Sequence, residues 1–321
     1  MVEIDEKVPT EWSGGWGTSY HAPVLVEEIV ALFAGAEQVL DCTLGGGGHS
    51  AALLANGASV TAIDRDEAAI DEARKRLASY EASGRFRIVP GNFGEISAIS
   101  ELSDRRFDAI LADLGVSSHQ LDDAERGFSF RPGALLDMRM DRRSHTTAAE
   151  LLNTLDEAGL THIFRAYGDE PRATRLAREI VRRRDRRAMS TSDDLVGAIR
   201  GAFGARTGPS EFARLFQAVR IAVNDELDSL ARALPELRDR LNPGGLLAVI
   251  SYHSGEDRMV KHTMREWSQA CICPPKQPQC TCRGKALGEF VTKRAITAGP
   301  DETRLNPRSR SAHLRAWRSA A

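Results

Sequence analysis

The residues best suited to chemistry gather in two short stretches. In the first, Asp41-Cys42-Thr43-Leu44-Gly45-Gly46-Gly47-Gly48-His49-Ser50 follows an apolar run, and a second apolar run from Val60 then ends on Asp64. Glycines accept positive φ and let backbone approach a ligand without a Cβ in the way. A carboxylate about twenty residues further on can accept hydrogen bonds from both hydroxyls of a ribose. The pattern suits a nucleoside-bearing cofactor. In the second stretch, Leu111-Ala112-Asp113-Leu114-Gly115-Val116-Ser117-Ser118-His119-Gln120, another apolar run ends on Asp113. Ligands of open parallel sheets bind beyond the carboxyl ends of the strands, so Asp113 and Asp64 are expected to face one crevice with the glycine turn. Capping the next turn is the plainer role for Asp113.

Two further clusters offer chemistry of other kinds. Cys271, Cys273, Cys280 and Cys282 form C-x-C-P-P and then C-x-C. Zinc knuckles usually have a two-residue spacer. A structural metal, reduced surface thiols and a disulfide therefore all stay open, the disulfide fitting a reducing compartment least, and no metal ligand is assigned. The run Arg182-Arg183-Arg184-Asp185-Arg186-Arg187 is either a solvated helix face or a binder of RNA phosphate. Replacing Arg183, Arg184 and Arg187 with Glu would separate the two. Charge is unevenly placed: residues 131–217 hold sixteen Arg and twelve Asp plus Glu, so they carry +4 and the rest −6 of a total of −2. A locally basic segment in a mildly acidic chain fits a phosphate-rich substrate rather than a uniform nucleic-acid coat.

Positioning these residues requires an alternation of strands and helices. Apolar runs at Val39–Leu44, Ser59–Ile63, Phe86–Val89 and Phe107–Ala112 read as buried parallel strands. Helices are expected from Ser50 to Ala55 and after a cap at Asp66, with Ala69, Ile70, Ala73 and Leu77 on one face. The rhythm then breaks into helical periods at Ala148–Leu155, Leu160–Tyr167, Ala173–Arg184 and Ser192–Phe203. Helical pattern resumes over Leu215–Leu241, ends at Asn242-Pro243-Gly244-Gly245 and leads to a fifth strand, Leu246–Ser251. Two β-like stretches follow, Phe290–Ile296 and Ala312–Trp317. The fold class is thus α/β, a Rossmann-like and mostly parallel sheet with an inserted all-helical domain. The sheet domain takes residues 1–130 and 218–321, and the insert takes 131–217. No apolar run is long enough to span a bilayer. The opening residues, with Glu3, Asp5 and Glu6, lack a basic-then-apolar leader pattern, so a cytoplasmic protein without membrane contact is expected.

The glycine turn, the Asp113 stretch, Arg126-Gly-Phe-Ser-Phe, Leu136-Asp-Met-Arg-Met-Asp, Phe216-Gln-Ala-Val-Arg-Ile and Ser251-Tyr-His-Ser-Gly-Glu-Asp-Arg-Met-Val-Lys stand in one order along nearly the whole chain. Together they resemble the S-adenosylmethionine-dependent small-subunit ribosomal RNA cytosine-N4 methyltransferases, the RsmH or MraW family. The resemblance implies a class I methyltransferase fold with S-adenosylmethionine as cofactor. By similarity, its contacts fall on Gly47, Gly48, His49, Asp64, Phe93, Asp113 and Gln120. It also implies small-subunit ribosomal RNA as partner, within an assembled or nearly assembled subunit, with a homodimer left open. The family usually has Phe in place of Tyr252 and commonly Leu in place of Gly255.

A cytosine amine is a poor nucleophile because its lone pair is delocalised, whereas a sulfonium methyl is already activated. The enzyme must chiefly align the two and accept the amine's hydrogen bond and proton. Asp113 or a nearby carbonyl is the expected acceptor, with His253 as a second catalytic group or else a strand-end hydrogen bond. The Asp113-Leu114-Gly115-Val116 turn departs from the Asp/Asn-Pro-Pro-aromatic turn of DNA amino-methyltransferases, so that turn's contacts are not carried over. A nicotinamide oxidoreductase would share the glycine turn but also needs a carbonyl proton donor, which has no second constellation here. A non-catalytic RNA-binding assembly factor is the other rival.

Overall fold

The computed structural model describes residues 23–274, 277, 279 and 281–321. Two compact units divide the chain, one ending at Gly115 and resuming at Asp228, the other Val116–Leu227. The first unit opens with α1 (Val26–Leu32) and continues β1 (Gln38–Asp41), α2 (Gly48–Ala55), β2 (Ser59–Asp64), α3 (Glu67–Arg76), α4 (Ala78–Ala82), β3 (Phe86–Pro90) and β4 (Phe107–Asp113). Asp66 caps α3 as expected, its side chain accepting the Ala68 amide at 3.1 Å.

In the second unit, α5 (Ser118–Asp122), α6 (Ala148–Thr154), α7 (Glu157–Ala166), α8 (Ala173–Arg184), α9 (Ser192–Phe203) and α10 (Pro209–Asn224) surround one apolar cluster. Phe128, Ala218 and Val219 belong to that cluster, and Val116, Leu121, Ala222 and Val223 pack against it. For this reason the unit extends beyond the 131–217 segment marked by arginine content. Burial, not charge, sets its edges.

The chain leaves this unit within α11 (Glu226–Asp239), then forms β5 (Leu241–Ser251), α12 (Ser254–Trp267), β6 (Gly288–Phe290), α13 (Pro300–Leu305) and β7 (His313–Ser319). The seven strands run in the order β3-β2-β1-β4-β5-β7-β6, parallel from β3 through β5, with β7 antiparallel to both neighbours. Successive strand residues point to opposite faces. Val39, Leu111, Ala248 and Ile250 accordingly join a cluster with Ile29, Leu54 and Leu77 of the helical side made by α1, α2 and the end of α3. Leu40, Ile110, Leu247 and Val249 meet Leu234, Leu237, Val260 and Met264 of α11 and α12 on the other face.

Three expectations change. The helical pattern over Leu215–Leu241 is divided between two helices and reaches back to Pro209, with the break at Asp225, which takes a left-handed φ of 51°. The side chain of Asn224 secures this break, accepting from the Met140 amide at 2.8 Å and donating to the Met138 carbonyl at 2.7 Å. The strand expected over Phe290–Ile296 stops at Phe290. Beyond it, the Val291 and Thr292 amides both donate to the Ala316 carbonyl, a doubled pairing that breaks the ladder. The fifth strand begins at Leu241 rather than Leu246, with a register slip from the Phe107–Leu241 pair to the Ala109–Leu246 pair around Asn242–Gly245.

Candidate active site

The order reverses at β1, where β2 lies on one side and β4 on the other, and a switch of this kind opens a crevice at the carboxyl ends. From β1 the chain enters the glycine turn. Gly45 has φ 50° and donates its amide to Asp64 Oδ2 at 2.8 Å, while Asp64 Oδ1 accepts the Asp66 amide at 2.9 Å. The carboxylate is thereby fixed in orientation with lone pairs to spare. Burial pushes its pKa up to about 6 against the lowering effect of those two amides. Gly47, with φ 74°, starts α2 with no side-chain cap. The first amides of that helix thus face its positive end without a side-chain acceptor, an arrangement suited to an anion. A Cβ on Gly47 would lie 3.1 Å from Leu77 Cδ1, and one on Gly48 would lie 3.0 Å from Pro23. Packing as well as φ requires glycine here.

Asp113, at the end of β4, is not a turn cap. Its amide donates to Thr43 Oγ1 at 2.7 Å, and its Oδ1 accepts the Tyr252 hydroxyl at 2.9 Å. The Tyr252 ring reaches this point by lying against Gly115, where a Cβ would sit 3.4 Å from Tyr252 Cδ2. The other oxygen, Oδ2, stands 3.7 Å from His49 Nδ1. His49 is buried in the first turn of α2, and its Nε2 lies 2.9 Å from the Val24 carbonyl. A carbonyl only accepts, so Nε2 carries the hydrogen and Nδ1 of a neutral ring turns a lone pair toward the carboxylate. One proton, on Nδ1 or on Oδ2, converts that opposition into attraction. Burial raises the Asp113 pKa to about 6, while His49 and the Tyr252 hydroxyl pull it down. Burial, reinforced by the Asp113 charge, pushes the Tyr252 phenol well above its usual range, so it remains a donor.

The remaining expected residues divide. Phe93 begins a 3-10 turn after β3 and is half-buried against the α11–α12 cluster. Gln120 belongs to the second unit, where its Oε1 accepts the Ser117 amide at 2.9 Å. His253 is engaged as a cap: Nδ1 accepts the Gly255 and Glu256 amides at 3.2 and 3.4 Å, and Nε2 lies 3.2 Å from Glu256 Oε1. Nδ1 is thus spent on starting α12, the strand-end role, while Nε2 is buried beside Glu256 without a hydrogen-bond partner among the described residues.

The sequence profile of the MraW methylase family matches residues 18–320. The chain belongs to the MraW methylase family. This MraW methylase is 60% identical over 308 residues to the ribosomal RNA small subunit methyltransferase H of Gemmatimonas aurantiaca, covering 96% of this chain and 98% of that one. Its counterpart of the same name in Heliobacterium modesticaldum is 44% identical over 307 residues, with 92% and 97% covered. A solved rRNA methylase from Streptococcus thermophilus aligns with 92% of this chain and 94% of that one at 10% identity, but its TM-score of 0.40 carries no weight.

Within this MraW methylase, the arginine run does several jobs. Arg182 and Arg183 both pair with Glu179, and Arg187 pairs with Asp194. Arg184 points elsewhere, donating to the Leu152 and Leu155 carbonyls at 2.8 and 2.6 Å, where it holds the end of α6. It therefore leaves the set of RNA candidates, and Arg186 enters. Arg182, Arg183, Arg186 and Arg187 line a cavity of about 340 Å³ with Met189 and Asp194. Sequence reasoning also missed Asp41, which is buried and accepts from Ser50 Oγ at 2.7 Å and the Thr43 amide at 3.1 Å, bracing the glycine turn from within. Its position inside the motif was the available signal. For Tyr252 the signal was its departure from the family's usual Phe, which adds the hydroxyl that reaches Asp113 Oδ1. No described helix is long and apolar enough to cross a membrane.

Proposed function

We propose that this MraW methylase transfers the methyl group of S-adenosylmethionine to the exocyclic N4 of a cytidine in the decoding region of small-subunit ribosomal RNA, at the carboxyl ends of β1, β2 and β4. One observation carries the reading: two carboxylates, Asp64 and Asp113, end the strands on either side of β1, whose own turn opens a helix N-terminus. The donor set fits the cofactor. Amides at the start of α2 suit the methionine carboxylate, the spare lone pairs of Asp64 suit the ribose diol, and the half-buried Phe93 suits a flat apolar contact with adenine. When bound, S-adenosylmethionine supplies a methyl carbon activated by its sulfonium.

The chain's own residues do the rest. Asp113, ionised above about pH 6, accepts a hydrogen bond from the target amine and takes its proton late, on Oδ2. Tyr252 holds Oδ1 and so sets the plane of the carboxylate. His49, anchored on Val24, turns its Nδ1 lone pair toward Oδ2, so a proton gained there is held between the two. The cytidine must be unpaired or flipped to reach such a site. Arg182, Arg183, Arg186 and Arg187 are assigned to backbone phosphate, and the cytoplasm is the proposed place of work. An assembled or nearly assembled subunit is the proposed form of the substrate.

The decisive experiment is transfer of labelled methyl to small subunits lacking the modification, followed by nucleoside analysis, with naked RNA in parallel. N4-methylated cytidine in the product is expected. Label on another atom, or no label from an enzyme that binds S-adenosylhomocysteine, would overturn the reading.

A further inference from the structure

We propose that Cys271, Cys273 and Cys282 bind a zinc ion that staples the loop between α12 and β6. The loop needs a staple. Residues 268–287 carry no helix or strand among those described, and irregular loops longer than about 12–15 residues are uncommon in compact domains. Its base is fastened, since the Leu287 amide donates to the Trp267 carbonyl at 2.8 Å and the Arg283 guanidinium donates to the Gln269 carbonyl at 3.1 Å and to the Glu266 carbonyl. Further out the described residues bury no large apolar side chain, and Ile272 is 42% exposed. Ordering such a tip by hydrophobic burial is not available to it.

The thiols supply the alternative. Their three sulfurs all lie within 4.8 Å of one another, and the sulfurs of Cys271 and Cys282 are 3.8 Å apart. A disulfide bond is about 2.05 Å long. Zinc binds thiolate at about 2.3 Å, and two ligands of a tetrahedron of that radius stand about 3.8 Å apart. The Cys271–Cys282 separation therefore matches the edge of a zinc–thiolate tetrahedron, although as thiols the two meet there in a hydrogen bond. The amide of Ile272 points at Cys282 Sγ at 3.4 Å, a donor that favours the charged sulfur a metal requires. The single-residue spacer between Cys271 and Cys273, an obstacle on paper, does not keep their sulfurs from sharing one face of the polyhedron. Cys280 lies outside the described residues, and the fourth corner is left to another donor. Soft thiolates with tetrahedral spacing select zinc over the hard cations that favour oxygen.

The test uses the full chain, purified under reducing conditions without chelator, and reads bound metal rather than methyl transfer. About one zinc per chain is expected by elemental mass spectrometry, with the Cys271→Ser/Cys282→Ser double variant retaining at least about tenfold less. Cobalt(II) exchanged into the wild type should give intense sulfur-to-cobalt charge-transfer absorption, a readout that stands even where the variant folds poorly. Limited proteolysis within 268–287 should accelerate when chelator strips the wild type. Reduced protein that holds no zinc and gives no such absorption would overturn the proposal. So would a Cys271–Cys282 disulfide in the purified chain, or zinc content unchanged in the double variant.

Discussion

The cost and use of the site are both visible at Asp113. A carboxyl whose pKa rises from 3.8 to about 6 on folding binds its proton more tightly in the native state. Its contribution favours the fold below the unfolded value, and that advantage is lost as pH climbs to about 6. Asp113→Asn removes the charge but keeps an acceptor for Tyr252. Relative to wild type, it should gain about 1 kcal/mol between about pH 5 and about pH 8 in urea denaturation, while methyl transfer is lost. A variant that loses stability over that interval would contradict the assignment. Tyr252→Phe takes away a donor that lowers this pKa. A hydrogen bond to a charged group is worth about 1.5–3 kcal/mol, so the acidic limb of the rate profile should move up by about one pH unit. Profiles of kcat/KM against pH for the two proteins check this.

At the scale of elements, the glycine turn and α8 make opposite demands. Gly47→Ala places a Cβ in left-handed backbone against Leu77 and Ala73, and a cost of about 1–2 kcal/mol is expected, with weaker S-adenosylhomocysteine binding by calorimetry. On α8 and just beyond it, Arg184→Ala should lower the melting temperature by uncapping α6, whereas Arg186→Glu should spare it and weaken RNA binding in a filter assay. RNA binding unaffected by the second variant would dismiss the phosphate role. These elements were also the most readable ones. The bounds of α8 and α9 are those that periodicity implies, and β1 to β4 stand where continuous apolar runs placed them, because strands buried on both faces advertise themselves. The break at Asp225 was hidden because apolar spacing continues on both sides of it, although Asn-Asp is a pair tolerant of left-handed backbone. In the site, Asp64 and Asp113 were legible from position alone. The roles of Tyr252 and His253 were not, since the first depends on a partner 139 residues away and the second on two amides that exist only once α12 has formed.

For the whole molecule, the uneven charge separates two kinds of affinity. Residues 131–217 carry +4 against −6 elsewhere, so RNA binding should fall steeply with added salt while S-adenosylhomocysteine binding changes little. Parallel titrations at low and high salt test this, and equal salt dependence would count against a phosphate-led encounter. The strand order also has a consequence for synthesis. On the ribosome, β4 emerges before every residue of the helical unit, and its outer neighbour β5 only afterwards; β5 in turn waits for His313, 62 residues beyond Ser251, before its far edge is covered. A growing chain thus carries a strongly apolar ribbon with one edge open through much of its elongation, and its yield will depend on whatever shields that edge until translation catches up.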